Sequence, residues 1–185
     1  MIRFIALLLT PLLNFRPIRR IRRNHGLEHA TIHMMSRRIK DLKILGGRAV
    51  LDGFFIYGEA ETDQIRVAVE EAITRMRKGE HGLAVHPNCG TGLVTTGLMT
   101  TLATMLGTIG ANQSWKDRIS RLPTLVVLSV FAVMLSQPAG LSLQRHITTL
   151  GDPGDLEVVQ ISRQDMKSPF SKSKMVVHRI WTRAG

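Results

Sequence analysis

The sequence has a single cysteine, Cys89, so no disulfide can form within the chain and nothing requires an oxidising compartment. Acidic residues are scarce as well: 14 Asp and Glu stand against 25 Lys and Arg, for a formal net charge of +11. A chain this basic favours an anionic partner. Nucleic acid and an anionic membrane surface are the two candidates, and the position of the arginines described below favours the membrane.

Charge is missing altogether from two stretches, residues 90–114 and 122–144, although the mean hydropathy of the 185 residues is close to zero. Each stretch is long enough to cross a bilayer as a helix. Glycine and threonine recur in the first stretch, and small side chains let helices approach closely in lipid. The sequence therefore predicts a two-helix transmembrane hairpin within one functional unit. A buried helical hairpin of a soluble protein is the alternative.

The apolar segment at residues 4–15 is too short to cross a bilayer and is interrupted by Pro11 and Asn14. We expect an interfacial helix here; a cleaved signal peptide is the alternative, although no small-residue cleavage site follows. Only three of the 25 basic residues lie between the two charge-free stretches, which favours cytoplasmic termini. Five arginines directly after the segment are expected to contact anionic lipid headgroups: Arg16, Arg19, Arg20, Arg22 and Arg23.

Two helices are expected in the polar region that follows. The first runs from His25 to about Lys40, with Asn24 as its N-cap. The second begins near Thr62, a plausible cap, and ends at Gly79. Its apolar side chains recur at helical spacing and should pack on a sheet: Ile65, Ala68, Val69, Ala72, Ile73 and Met76.

Short apolar runs predict the strands of that sheet. Asp52-Gly53 separates residues 49–51 from residues 54–57 and is typical of a tight hairpin. Residues 83–85 are a candidate third strand, residues 156–161 alternate like a strand, and the tail from residue 167 has no clear period. The expected fold is α+β, with a small mixed sheet-and-helix domain joined to the membrane hairpin. Its segments are an interfacial anchor (1–23), a polar α+β domain (24–89), a transmembrane hairpin (90–144) and a C-terminal strand with a basic tail (145–185).

The first helix carries an H-x-x-E-H pattern at residues 25–29. Because His25 and His29 are four residues apart, they share one helix face at a spacing that suits zinc. Glu28 would act as general base on a metal-bound water, as in the inverted zinc-peptidase motif. His33 lies one turn further along the same helix face, where it would be a further metal ligand or would contact one of the ligands. The alternative is a helix that displays its histidines to solvent or headgroups.

A second cluster, His86-Pro87-Asn88-Cys89-Gly90-Thr91, places another imidazole and the only thiol three residues apart. Imidazole and thiolate are both good ligands for zinc and similar metals. Pro87 and Gly90 indicate a turn, which could aim both side chains at one point. The residues therefore predict a zinc site in which His25 and His29 are joined by Cys89 or His86, with a buried thiol beside a capping histidine as the alternative.

Polar residues also follow the second charge-free stretch, at residues 144–149 (QRHITT). If the two stretches form a hairpin, these side chains return to the membrane face that carries the metal candidates. Arg145 could bind a phosphate or carboxylate of a substrate, with Thr148 nearby. The alternative for Arg145 is an interfacial anchor whose charge extends to the headgroups.

Three sequence blocks resemble, in order, the YqhQ-like family of bacterial membrane proteins, which are described as predicted metal-dependent enzymes. The blocks are residues 24–33 (NHGLEHATIH), 86–91 (HPNCGT) and 140–149 (GLSLQRHITT), with Asp152-Pro153 and Leu156-Glu157-Val158 after the last. The family chains are longer and have more spans, and commonly place Lys and Arg where this chain has Ala30 and Asn88. The chain thus resembles a diverged or shortened relative.

The resemblance implies a metal site built from His25, Glu28, His29, His86 and Cys89, in a protein of the bacterial inner membrane. The expected function is that of a membrane-embedded metal-binding protein, with zinc or another divalent transition metal as its cofactor. Metal-assisted hydrolysis is the expected reaction class, with the substrate open among peptide, lipid and phosphoester. The alternative is a non-catalytic membrane scaffold or assembly partner that holds a structural metal or none.

Overall fold

The computed structural model describes residues 2–39, 43–110, 114–167 and 174–185. The chain divides into two compact units, one made of residues 1–86 and 144–185 and the other of residues 87–143. The first unit has the predicted α+β character, because its helices are combined with a four-stranded antiparallel sheet. The second unit is helical.

The sheet of the first unit has the strand order β1-β2-β4-β3, so the last strand of the chain lies in its interior. The segments predicted separately as a polar domain and a C-terminal tail therefore contribute to one sheet. In chain order the elements of this unit are α1 (Ile2–Leu8), α2 (Thr10–Leu13), α3 (Arg16–Arg38), β1 (Lys43–Val50), β2 (Gly53–Glu59), α4 (Thr62–Arg77), a 3-10 turn (His81–Ala84), a π-helical turn (Gln144–Thr148), β3 (Glu157–Lys167) and β4 (Lys174–Arg183).

The predicted hairpin is confirmed, with Val50 paired to Gly53 across the turn between β1 and β2. Gly53 has φ +138° and its Cα lies so close to β4 that a Cβ would be 2.0 Å from the Ile180 carbonyl oxygen. Only glycine fits this position. The third strand expected at residues 83–85 is wrong, because residues 81–84 form a 3-10 turn instead.

Helix α3 begins at Arg16, well before the predicted start, and the expectation that Asn24 caps it is wrong. Asn24 is fully buried inside the helix, where its amide donates hydrogen bonds to the carbonyls of Val50 and Leu51, at 2.9 and 3.1 Å. Its side-chain oxygen accepts a hydrogen bond from the Thr182 hydroxyl. Asn24 therefore joins α3 to the hairpin turn and to β4. The predicted end at Lys40 lies outside the described residues, and the helix ends at Arg38.

Helix α4 confirms its predicted apolar face. Glu61 rather than Thr62 caps it, in a reciprocal arrangement with Gln64. The buried face packs with α3 and the sheet into one core, which includes Leu27, Met34, Phe54, Ile56, Leu156 and Ile180 together with all six predicted residues of α4.

The arginines of α3 make contacts within the first unit. Arg20 donates to the Thr182 carbonyl, and Arg23 pairs with Asp152 and Asp155. Arg22 is buried and donates to three main-chain carbonyls. Three of the five guanidinium groups predicted to contact lipid headgroups therefore have protein partners, and the lipid contact stays a prediction.

The second unit consists of α5 (Gly90–Gly107), α6 (Trp115–Ser120) and α7 (Leu122–Leu143). Helices α5 and α7 pack closely, since a Cβ on Gly140 would lie 3.1 Å from the Cα of Gly92. The hydroxyls of Thr96 and Ser136 are 2.7 Å apart in the same interface.

Among the described residues one helix, α7 continued through the π-helical turn as Leu122–Thr148, is long and apolar enough to cross a membrane. This corrects the expectation of two such helices. Helix α5 has 18 residues, of which six are threonine and four are glycine, so its apolar character is diluted.

Candidate metal centre

The two histidines of the H-x-x-E-H pattern lie side by side on α3, as their spacing predicts. The ring centroids of His25 and His29 are 4.5 Å apart, and ring nitrogens of the two lie within 4.8 Å of each other. Bonds of about 2.0–2.1 Å from each nitrogen to zinc require the two nitrogens to be about 4 Å apart or less, so the two rings are near the arrangement in which they would bind one ion.

Main-chain carbonyls orient both rings. Nδ1 of His25 lies 3.0 Å from the Thr148 carbonyl oxygen, and Nδ1 of His29 lies 2.8 Å from that of Ala84. A carbonyl can only accept, so Nδ1 carries the hydrogen in each ring, and in the neutral ring Nε2 carries the lone pair. Metal-binding histidines characteristically donate their second nitrogen in this way.

Burial favours the neutral, metal-binding form of His25 and His86. His29 is 2% exposed, and burial lowers the pKa of His25 against the opposing effect of its hydrogen bond to Thr148. Burial lowers the pKa of His86 as well, and the nearby His33 adds to that shift. Neutral imidazole is the form that binds metal, so these shifts favour binding near neutral pH.

His86 and His33 extend the group into what we term the histidine cluster: His25, His29, His33 and His86. The His86 ring centroid is 5.8 Å from that of His29 and 4.9 Å from that of His33. Nε2 of His33 lies 2.9 Å from the Val85 carbonyl oxygen. The residues just before His86 thus orient two rings of α3 through their carbonyls, a role that no side chain in the sequence indicates.

Gly26 explains how α3 comes so close to the segments that supply these carbonyls. A Cβ at this position would lie 2.4 Å from the Leu150 carbonyl oxygen and 3.2 Å from the Cβ of Ala84. A side chain at position 26 would therefore separate α3 from both segments. The glycine between the two histidines of the pattern therefore has a packing role at the site itself.

The π-helical turn is the second support of the histidine cluster. It supplies the Thr148 carbonyl for His25, and the Gln144 side-chain oxygen accepts the His86 main-chain N–H at 2.9 Å. Arg22 donates to the His146 and Thr149 carbonyls of this region. Sequence reasoning singled out residues 144–149 but emphasised Arg145, which is exposed. The contacts that it missed are made by Gln144, Arg22 and the main chain of Thr148.

Glu28 is buried at 4% exposure and lies on the part of α3 that meets β1. A Cβ on Gly47 would be 2.4 Å from the Glu28 Oε1 atom, so the carboxylate occupies the space that a side chain at position 47 would need. The role of Glu28 as general base stays a prediction.

Cys89 belongs to the second unit, where it is a buried thiol at the N-cap of α5. Its sulfur accepts a hydrogen bond from the Thr91 N–H at 3.4 Å. Along the chain it follows His86 by three residues. Its role as a ligand stays a prediction.

The part of the chain that carries the histidine cluster matches a known domain family. Residues 20–161 match DUF6391, described as a domain of unknown function, and this range includes every residue of the histidine cluster. An uncharacterised protein of Picosynechococcus sp. strain PCC 7002 is 29% identical over 140 residues. The match covers 70% of this chain and 65% of the relative, so the chain spans about two thirds of that protein's length. No solved structure matches the chain.

Proposed function

The chain belongs to the DUF6391 domain family, a family of unknown function, and from its histidine cluster we propose that it binds a divalent transition metal, with zinc the best fit. The observation that carries the proposal is the matched pair of hydrogen bonds at His25 and His29. Each ring donates Nδ1–H to a main-chain carbonyl, which leaves the two Nε2 lone pairs as ligand atoms on neighbouring rings. This arrangement is the one that metal-binding histidines characteristically have.

We propose that either His86 or Cys89 completes the coordination as the third protein ligand. The ring of His86 is already a neighbour of His29, and Cys89 follows it by only three residues. Cys89 also stands at a helix N-terminus, where main-chain N–H groups stabilise the thiolate that binds metal. Histidine nitrogens and a cysteine thiolate are both regular zinc ligands.

We further propose that the site is catalytic and that metal-assisted hydrolysis is its reaction. Three protein ligands would leave one position for water, whose pKa zinc lowers towards neutrality. Glu28 would take the proton of that water as general base, from the helix position three residues after His25. A buried carboxylate on the same helix as the ligands supports this role.

We propose that α7 and α5, packed beside it, together anchor the protein in the bacterial inner membrane, so that the chain returns to the side from which it entered and both termini lie in the cytoplasm. Support comes from the apolar length of α7 and from the threonines of α5, whose hydroxyls donate to carbonyls of their own helix. A hydroxyl bonded in this way is less costly in lipid. The ordered sequence blocks also suggest a distant relation to the YqhQ-like family.

The test is metal analysis of the purified protein by mass spectrometry after dialysis against zinc at a fixed free concentration. We expect one zinc per chain for the wild type and for His81→Ala, an exposed histidine of the same unit outside the cluster. His29→Ala should lose zinc affinity by at least about tenfold, because a ligand contributes more than the orienting groups around it. Cys89→Ser tests the thiolate in the same way.

Glu28→Gln separates binding from chemistry. We expect this variant to hold zinc like the wild type but to lose at least about 100-fold in the hydrolysis of p-nitrophenyl acetate, the loss typical of a missing general base. Equal zinc contents in His29→Ala and His81→Ala would contradict the metal site. Equal hydrolysis rates in wild type and Glu28→Gln would leave a non-catalytic metal-binding protein.

A further inference from the structure

We propose that the Gln144 side chain binds the carbonyl oxygen of an acyl ligand, an amide or an ester, at the metal centre. The inference rests on the proposed metal site and adds the class of ligand that the site accepts. Gln144 lies in the π-helical turn, and the proposed hydrolysis does not otherwise use this residue.

The orientation of the Gln144 amide is determined by its one hydrogen bond. The main-chain N–H of His86 can only donate, so the atom that it contacts at 2.9 Å is the amide oxygen and not the nitrogen. Nε2, on the same amide carbon, therefore lies next to the main chain of a histidine of the cluster. Its two hydrogens are available as donors at that place.

Those donors have no acceptor among the described residues. Gln144 is fully buried, and Nε2 is a buried nitrogen without a hydrogen-bond partner. Buried polar groups in folded proteins are nearly always paired, so an unpaired amide nitrogen beside a cluster of ligand-type residues indicates an acceptor that binds there. The acceptor must be an oxygen or nitrogen lone pair, because the amide nitrogen can only donate.

The backbone around Gln144 supports a binding role. Residues 144–148 form a π-helical turn at the end of a long α-helix, and such turns occur frequently at functional sites. The main-chain oxygen of Gln144 accepts hydrogen bonds from both the N–H and the hydroxyl of Thr149. These contacts hold the residue from its main chain and from its amide oxygen, so that the nitrogen has a defined position.

The charges near this amide favour a neutral oxygen over a phosphate. A phosphate is usually bound by arginine or lysine side chains or by a helix N-terminus. Here the terminal nitrogens of Arg22 donate to main-chain carbonyls, and Arg23 is paired with Asp152 and Asp155. Arg145, the next residue, is exposed, whereas the buried donor at Gln144 is an uncharged amide, which suits the carbonyl oxygen of an acyl group. In hydrolysis the same donor would stabilise the negative charge that develops on that oxygen.

The experiment uses the full-length protein with cobalt(II) in place of zinc, so that the visible spectrum reports ligands that bind the metal. It is titrated at pH 8 with acetohydroxamate, which carries a carbonyl oxygen, with thiocyanate, which carries none, and with inorganic phosphate. The variants are Gln144→Met, which removes donor and acceptor, and Gln144→Glu, which keeps the acceptor for the His86 N–H. Gln160→Met, at an exposed glutamine of β3, is the matched control.

The readout is the ratio of the hydroxamate dissociation constant to the thiocyanate dissociation constant. Both probes bind as anions, so a change in the charge of the site cancels in the ratio. We expect the ratio to rise roughly tenfold in both Gln144 variants, the loss of one hydrogen bond to a charged partner, and to stay unchanged in Gln160→Met. If Gln144→Met does not fold, Gln144→Glu carries the test by itself.

An unchanged ratio in Gln144→Glu would overturn the proposal and leave Gln144 as a support for His86 only. A phosphate affinity that falls as much as the hydroxamate affinity would overturn the acyl assignment. A wild-type protein that takes up no cobalt would overturn the metal site, and this result is seen before any probe is added.

Discussion

Histidine spacing is the part of the candidate site that could be read at the level of single residues. Four-residue spacing on a helix places His25 and His29 on one face whatever the rest of the fold does. The carbonyls of Ala84 and Thr148, which orient the two rings, could not be read in this way. Every residue has a carbonyl group, so no pattern of side chains indicates which ones reach a ring.

A buried histidine outside the histidine cluster provides a prediction about pH. His178 in β4 is fully buried and contacts the Thr62 hydroxyl at 3.2 Å through Nε2. Burial is the main cause that lowers its pKa, Arg163 adds to the shift, and Glu61 opposes it. The unfolded chain therefore takes up this proton at a higher pH than the folded protein, and stability is lost as the pH falls below about 6.5, the unfolded value.

We expect His178→Gln to remove this part of the acid sensitivity. Between pH 7.5 and 5.5 the unfolding temperature of the metal-free variant should fall less steeply than that of the metal-free wild type. His25 and His86 have pKa shifts in the same direction but are present in both proteins, so they do not affect the difference. Parallel curves would show that His178 does not titrate in this range.

At the level of elements, regular patterns were read correctly and irregular ones were not. The apolar face of α4 is confirmed because its residues alternate between core and solvent at the helical period. Strand β4 was missed, because its core-facing positions combine Ile180 with the polar residues His178 and Thr182. The polar residues find partners only in the folded protein, and this hides the alternation that identifies a strand.

The packing of α5 on α7 gives a prediction about an element interface. A larger side chain at Gly140 would meet the main chain of Gly92, which cannot move aside as a side chain can. Gly140→Leu should destabilise the second unit by about 1–3 kcal/mol, the usual cost of overpacking. Gly97→Leu is the control, since a Cβ there meets no atom within 4 Å.

The measurement is thermal unfolding of the detergent-solubilised proteins, with the helix signal of circular dichroism as the readout. Equal unfolding temperatures for the two variants would show that the close approach at Gly140 does not contribute to stability.

At the scale of the whole molecule, the first compact unit is discontinuous in sequence. It is made of residues that precede and residues that follow the second unit along the chain. The final strand of the chain is inserted between β2 and β3, so the first unit is complete only when the C-terminal segment has been made. The helical unit of residues 87–143 is thus an insertion into an α+β unit. Within the described parts of the chain, α7 with the π-helical turn is the helix long and apolar enough to cross a membrane.

Membrane insertion of α7 is tested by placing a charge at its centre. Val130 is 52% exposed, and an arginine there would cost about 2.5–3.5 kcal/mol in the bilayer. We expect the wild type to remain with membranes in alkaline carbonate and Val130→Arg to be released. Val67→Arg on α4, at 44% exposure, should behave like the wild type. Release of the wild-type protein would contradict the membrane assignment.

The sequence by itself determined the features that depend on residue order alone: the shared face of His25 and His29, the hairpin at Asp52-Gly53, the apolar face of α4 and the charge-free length of α7. These are local, because a period or a turn involves residues that are neighbours in the chain. Tertiary structure alone decided where Asn24, Gly26 and Gln144 lie, since each meets a segment more than 20 residues away. Contacts of that range depend on how the whole chain packs, and no local pattern contains that information.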